Sequence, residues 1–110
     1  MLMVESVLRL AGAEVAHSDG YPGWTPNPES LLLRRTTECY LRLFGSEAKV
    51  RAIHAGLECG LFLEKYPHLE MVSFGPTMRG VHSPDERLEI ASVDKFWRLL
   101  REVVTAVARE

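Results

Sequence analysis

The sequence predicts an α/β fold, and three observations carry that expectation. Apolar residues recur at helical spacing in 28–44 and again in 93–109. Two short runs, 49–55 and 70–74, have the apolar or alternating pattern of strands, and a further helical stretch, 57–66, joins them. Helices alternating with strands at this spacing imply layered packing, with the two strands side by side in one sheet. A sheet that narrow is marginal by itself, so the segment is expected to complete a larger one.

In chain order, Val4, Val7, Leu8 and Ala11 share one side of a short helix that Gly12 ends. Ala13, Val15 and His17 alternate with Glu14 and Ala16, the pattern of a short strand running into Ser18-Asp19-Gly20. Pro22, Pro26 and Pro28, with Gly23 and Asn27, make 21–28 an extended linker between two units. Asn27-Pro28 reads as a helix start, since Asn caps free amides and proline has none to lose at the first helical position. Leu32, Thr36, Cys39, Tyr40 and Leu43 then form the buried stripe and Gly45 the stop. Val50, Ala52 and His54 alternate up to the Gly56 turn; Leu57, Leu61 and Phe62 resume helical spacing as far as Pro67. Met71–Phe74 is an apolar strand closed by Gly75-Pro76, followed by a polar loop through Glu86. Ser92 is expected to cap the last helix, with Asp94 in its first turn and Val93, Phe96, Trp97, Leu100, Val104 and Val107 as its buried stripe.

The 110 residues suffice for one domain, and the apolar share, 46%, is that of a globular protein. The charge balance, 13 Lys+Arg against 15 Asp+Glu, leaves no basic field for nucleic acid. Apolar runs such as Leu31–Leu33 fall far short of the roughly 20 residues that span a bilayer, and Met1–Glu5 lacks the basic start of a secretory signal. A cytoplasmic setting is therefore expected, with Cys39 and Cys59 as reduced thiols.

Of the four histidines, His17, His54, His68 and His82, no two stand at the i, i+4 spacing that would make a metal pair on a helix. His82 stands out by its setting, Gly80-Val81-His82-Ser83-Pro84-Asp85-Glu86, a loop rich in polar groups that could hold an imidazole as ligand or catalyst, although a surface or hydrogen-bonded structural histidine is the commoner case. His54 ends a strand where α/β proteins bind ligands, and is also natural as a structural histidine. Gly56, Gly60 and the free amides of the next helix offer a carboxylate site, while Glu58 there is equally a helix-start residue. Arg79 is a candidate partner for an anion. Cys59 begins a helix, but Glu58 and Glu64 oppose its thiolate. Composition and spacing stop at an α/β domain with one loop of interest.

Three phrases together are more specific: Tyr21-Pro22-Gly23-Trp24-Thr25-Pro26-Asn27-Pro28; Ala52-Ile53-His54-Ala55-Gly56-Leu57-Glu58-Cys59-Gly60; and Ser73-Phe74-Gly75-Pro76 followed by Arg79-Gly80-Val81-His82-Ser83-Pro84-Asp85-Glu86-Arg87. In order and spacing they resemble the C-terminal region of the aminoacyl-histidine dipeptidases (Xaa-His dipeptidases, peptidase D), dinuclear zinc peptidases related to carnosinases. The likeness covers about residues 4 to 108. It implies a three-layer catalytic domain, with residues 1–20 as the end of a lid domain, 21–28 as the crossing, and 29–110 as the C-terminal part of the catalytic domain. It also implies that His82 is the last ligand of a zinc pair, oriented by Ser83, Asp85 and Glu86, and that Gly56 lines the dipeptide pocket. In such a parent a metal-activated water attacks the peptide bond next to a C-terminal histidine while a glutamate takes its proton.

The chain departs from that pattern in lacking the Glu-Glu pair and the bridging aspartate, and one ligand does not hold two zincs. The resulting expectation is a fragment of a zinc dipeptidase, inactive alone, whose partner is the missing N-terminal half of the catalytic domain. Apolar faces left bare would make it self-associate. The alternative is a stand-alone, non-catalytic α/β interaction module.

Overall fold

The computed structural model describes residues 2–17, 25, 27–52 and 58–109, which form four helices and one small hairpin. Helix α1, Leu2–Leu10, carries an Arg9–Glu5 ion pair at 2.7 Å and ends at Gly12, whose φ of 80° is the left-handed conformation glycine adopts freely. It packs on no other element among the described residues, and Met3 and Leu10 are almost fully exposed.

Helix α2, Leu31–Phe44, begins three residues later than Asn27-Pro28 suggests. Asn27 organises the preceding turn, its Oδ1 accepting from the Glu29 amide (3.0 Å) and its carbonyl from the Ser30 amide (3.2 Å). Ser30 is the cap: its Oγ accepts from the Leu33 amide at 3.3 Å, and a Glu70 carboxylate oxygen accepts from the Leu31 amide at 2.6 Å. Gly45, with φ 70°, closes the helix as expected. Helix α3 spans Glu58–Lys65.

The strands differ most from expectation. Residues 13–17, 49–52 and 70–74 form no strand, and 53–55 lie outside the described residues. The small sheet is instead an antiparallel hairpin of β1, Met78–Arg79, and β2, Arg87–Leu88, with Met78 opposite Leu88 and Arg79 opposite Arg87. The physical reason is that strand pattern confers no strand without a partner to receive its amides and carbonyls. Among the described residues none bonds the backbone of 47–52 or 71–75.

Helix α4, Ala91–Ala108, starts two residues before the expected 93, so Ser92 lies inside its first turn and does not cap it. α4 crosses α2, and the core sits between them: Cys39 is 2% exposed, Val103 5% and Leu99 7%, with Leu32, Tyr40, Leu43, Phe44, Phe74 and Ala106 around them. At the rim Arg42 pairs with Glu102, and the Lys95 ammonium donates to the Tyr40 hydroxyl at 2.8 Å while lying over the Tyr40 and Phe44 rings. The buried stripe is thus displaced from the expected one. Val93, Trp97, Val104 and Val107 are exposed, leaving α4 apolar on a second side.

The molecule is open. Its radius of gyration is 18.6 Å, against roughly 13 Å for a compact chain of this length. Its accessible surface is 9360 Å², against roughly 6,100 Å² for a compact monomer of this mass.

Burial raises the Cys39 thiol above its ordinary 9.0, the neighbouring Arg42 guanidinium opposing this only in part. The folded state therefore holds its proton more tightly than the unfolded one, and this contribution to stability is complete below 9.0 and is lost as pH rises through the raised value. At neutral pH a disulfide reagent is expected to label the half-buried Cys59 promptly and Cys39 only on unfolding, as mass spectrometry of the labelled peptides will read.

Candidate functional site

Of the residues singled out in the sequence, His82, Ser83, Asp85 and Glu86 lie in the loop between β1 and β2. Gly80 takes φ 62°, and a side chain there would meet the Asp85 carbonyl oxygen at 3.0 Å, so this position requires glycine on two counts. Ser83 ties the loop to itself. Its amide (3.2 Å) and its hydroxyl (2.6 Å) both donate to the Gly80 carbonyl, while its Oγ accepts from the Asp85 amide (3.2 Å) and its carbonyl from the Glu86 amide (3.1 Å). Arg87 Nη1 reaches back to the Asp85 carbonyl at 3.1 Å. His82 sits at the apex with φ 63°, the one non-glycine residue of left-handed conformation among those described. Such a backbone is uncommon for a side-chain-bearing residue and persists where its surroundings hold it.

Ser83, Asp85 and Glu86 follow His82 in this loop, and their hydrogen bonds go to the loop backbone and the Ser83 hydroxyl, none of them to the imidazole. Gly56 and His54 lie outside the described residues. His17 is far along the chain, 3.7 Å from the Glu5 carboxylate, and His68 is exposed in the turn after α3. Arg79 faces Glu89 at 4.0 Å. Among the described residues no three His, Cys, Asp or Glu side chains gather to hold a metal ion, and no buried side-chain polar atom lacks a partner. His82 with its loop does not compose a zinc site.

The base of the hairpin rests on α4 through Ser92, a role that sequence reasoning missed by treating Ser92 as a helix cap. The Glu89 amide donates to the Thr77 carbonyl at 2.9 Å, the Thr77 amide donates to Ser92 Oγ at 2.8 Å, and the Ser92 hydroxyl donates to the Glu89 carbonyl at 2.6 Å. The available signal was a serine three residues after Glu89, the residue that follows β2, where its hydroxyl reaches back to the Glu89 carbonyl. On the same side of the molecule, a cleft of about 850 Å³ lies between the α2–α4 pair and the segments 46–52 and 71–75, floored by Leu33, Tyr40, Phe44, Phe96 and Leu99. Phe74 docks there on Phe96, ring centroids 5.7 Å apart. No helix of the described residues is long and apolar enough to cross a membrane.

Comparison with known proteins gives the loop a context. No family model matches the sequence. The chain is 46% identical over 105 residues to the cytosol non-specific dipeptidase of Escherichia coli (strain K12), a match covering 96% of this chain and 22% of that protein. The crystal structure of aminoacylhistidine dipeptidase from Vibrio alginolyticus superposes with a TM-score of 0.73 at 44% identity, over 94% of this chain and 21% of that one. The chain therefore spans about a fifth of the length of the relatives it matches. At this identity, and along nearly all its length, it is similar to the C-terminal part of these dipeptidases.

Proposed function

We propose that this chain functions as part of a longer, cytosolic zinc dipeptidase acting on Xaa-His dipeptides, to which it contributes one metal ligand, His82, and through Gly56 a stretch of the substrate pocket wall. The observation that carries the reading is the likeness to dipeptidases over 94–96% of the chain combined with its spanning only about a fifth of them. The tied loop supports it, because an imidazole held at the apex in a strained conformation is suited to a fixed geometry. The bare surface supports it as well. An excess of roughly 3,000 Å² over a compact monomer is of the size buried in obligate interfaces. The partner that would cover it is the N-terminal part of the catalytic domain.

A zinc pair would have to be held chiefly by residues outside this chain, so the 110 residues would present one imidazole, on a loop whose backbone Ser83 ties together with the Asp85 and Glu86 amides, and wall a pocket. Alone they are inactive. The test is a chimera in which this chain replaces the matching 105 residues of the Escherichia coli dipeptidase. It is expected to hydrolyse a Xaa-His dipeptide, with His82→Ala lowering kcat/KM on the order of 100-fold or more, while the isolated chain gives no turnover. An active chimera indifferent to His82→Ala would overturn the reading, and a stand-alone interaction module would take its place.

The isolated chain is also expected to self-associate through the outer side of α4 and the bare face of α1, where Trp97, Val104, Met3 and Val7 are exposed. Sedimentation velocity will read this as a weight-average mass rising with concentration. A single monomeric boundary throughout would exclude it.

A further inference from the structure

The segments that rim the large cleft, 47–52 and 71–75, form an interaction surface. We infer that one β-strand from the remainder of a dipeptidase chain inserts between them, pairing with 47–52 on one side and with 71–75 on the other; only the owner of that strand rests on the function proposed above. Both segments have the residue pattern of strands: Val50 and Ala52 alternate with Lys49 and Arg51, and Met71, Val72 and Phe74 are apolar. Neither contains proline, so every residue has an amide to donate. Yet among the described residues no hydrogen bond reaches the backbone of either. Both nonetheless line one cleft floored by α2 and α4, and Phe74 docks on Phe96 at 5.7 Å. Between them in the chain lies α3, which packs on neither α2 nor α4 among the described residues. Strand, helix and second strand in this order are the parts of a crossover unit, whose two strands belong to one sheet.

Strands paired directly lie about 4.8 Å apart and exchange hydrogen bonds. These two exchange none, and the next spacing a sheet admits, about twice that, holds one further strand. With that strand in place both open edges are satisfied at once; without it each is the unpaired template that proteins normally cover. The lengths agree, since segments of six and five residues match the common strand. The strands of the described residues, β1 and β2, are two residues long and pair with each other, so they do not fill the gap. The relatives do have chain to fill it: the match covers 22% and 21% of them, so about four-fifths of each lies outside it. The bare surface, roughly 3,000 Å² beyond a compact monomer, is what a large interface with such a remainder buries.

The test compares the 110-residue chain with the chimeric dipeptidase described above. Amide exchange is read by mass spectrometry on peptides spanning 46–52 and 70–75. In the chimera, benzoylphenylalanine is placed at Val50 or at Ser73 for photo-cross-linking, and turnover of a Xaa-His dipeptide is measured alongside. In the isolated chain both peptides are expected to exchange within about 10-fold of an unstructured peptide, and in the chimera both are expected to slow by about 100-fold or more. The adducts from Val50 and from Ser73 are expected to fall on one and the same stretch of about five or six residues in the remainder of the chimera. A chimera that turns over while either peptide exchanges as fast as in the isolated chain overturns the inference and leaves the proposed function standing. Adducts on two separate stretches, or joining Val50 to 71–75, overturn it as well. Protection already present in the isolated chain also overturns it, and where that protection rises with concentration the gap belongs to a second copy. Protection of both peptides with adducts on one stretch, in a chimera without turnover, keeps the strand and removes the function.

Discussion

The contact between α2 and α4 is the interaction on which the hairpin and the segment 70–75 depend. Cys39, Leu99 and Val103 are its only buried apolar residues among those described, and the hairpin and the segment 70–75 are attached to it. Phe74 leans on Phe96 and brings 71–75 over the helix pair; Glu70 holds the first amide of α2; Ser92 ties the hairpin to the first turn of α4. A single helix-helix seam thus serves as the reference frame for a polar loop that has no core of its own. The backbone of that loop is tied to itself by Ser83, and its base is tied to the first turn of α4 by Ser92.

What was legible in the sequence divides along a physical line. Helices make their backbone bonds internally, so α2 with Gly45 as its stop, α3, and α4 were readable to within a few residues. Strands take their bonds from elsewhere, and 49–52 and 70–74 have the right pattern but no partner among these residues. The helix starts were misjudged for a related reason. Asn27 and Ser92 both use their side chains for local bonds, one in the turn before α2 and the other in the hairpin ladder, and sequence does not say which of several nearby amides a short polar side chain will choose.

The stripe on α4 was misread because the helix is apolar on two sides and periodicity alone does not rank them. Cys39 and Thr36 on α2 decide the matter by turning toward Leu99 and Val103, leaving Trp97 and Val104 outside. The candidate site was legible only in part. Composition singled out the His82 loop by its polar residues, and within that loop Gly80 is the one glycine with a left-handed backbone. The left-handed conformation of His82 has no sequence signature, since it follows from Ser83 closing the turn beneath it. The metal role came from resemblance to a family and from nothing in the spacing of the histidines.

The openness of the molecule has a thermodynamic side. Heat capacity and denaturant sensitivity of unfolding both scale with the surface newly exposed, and much of this chain's surface is already in water when folded. Its melting is consequently shallow: a small change in heat capacity, a gentle slope against urea, and a stability curve that stays flat over a wide span of temperature. Such a chain acquires the sharp, all-or-none transition of a globular protein only when another surface closes over it.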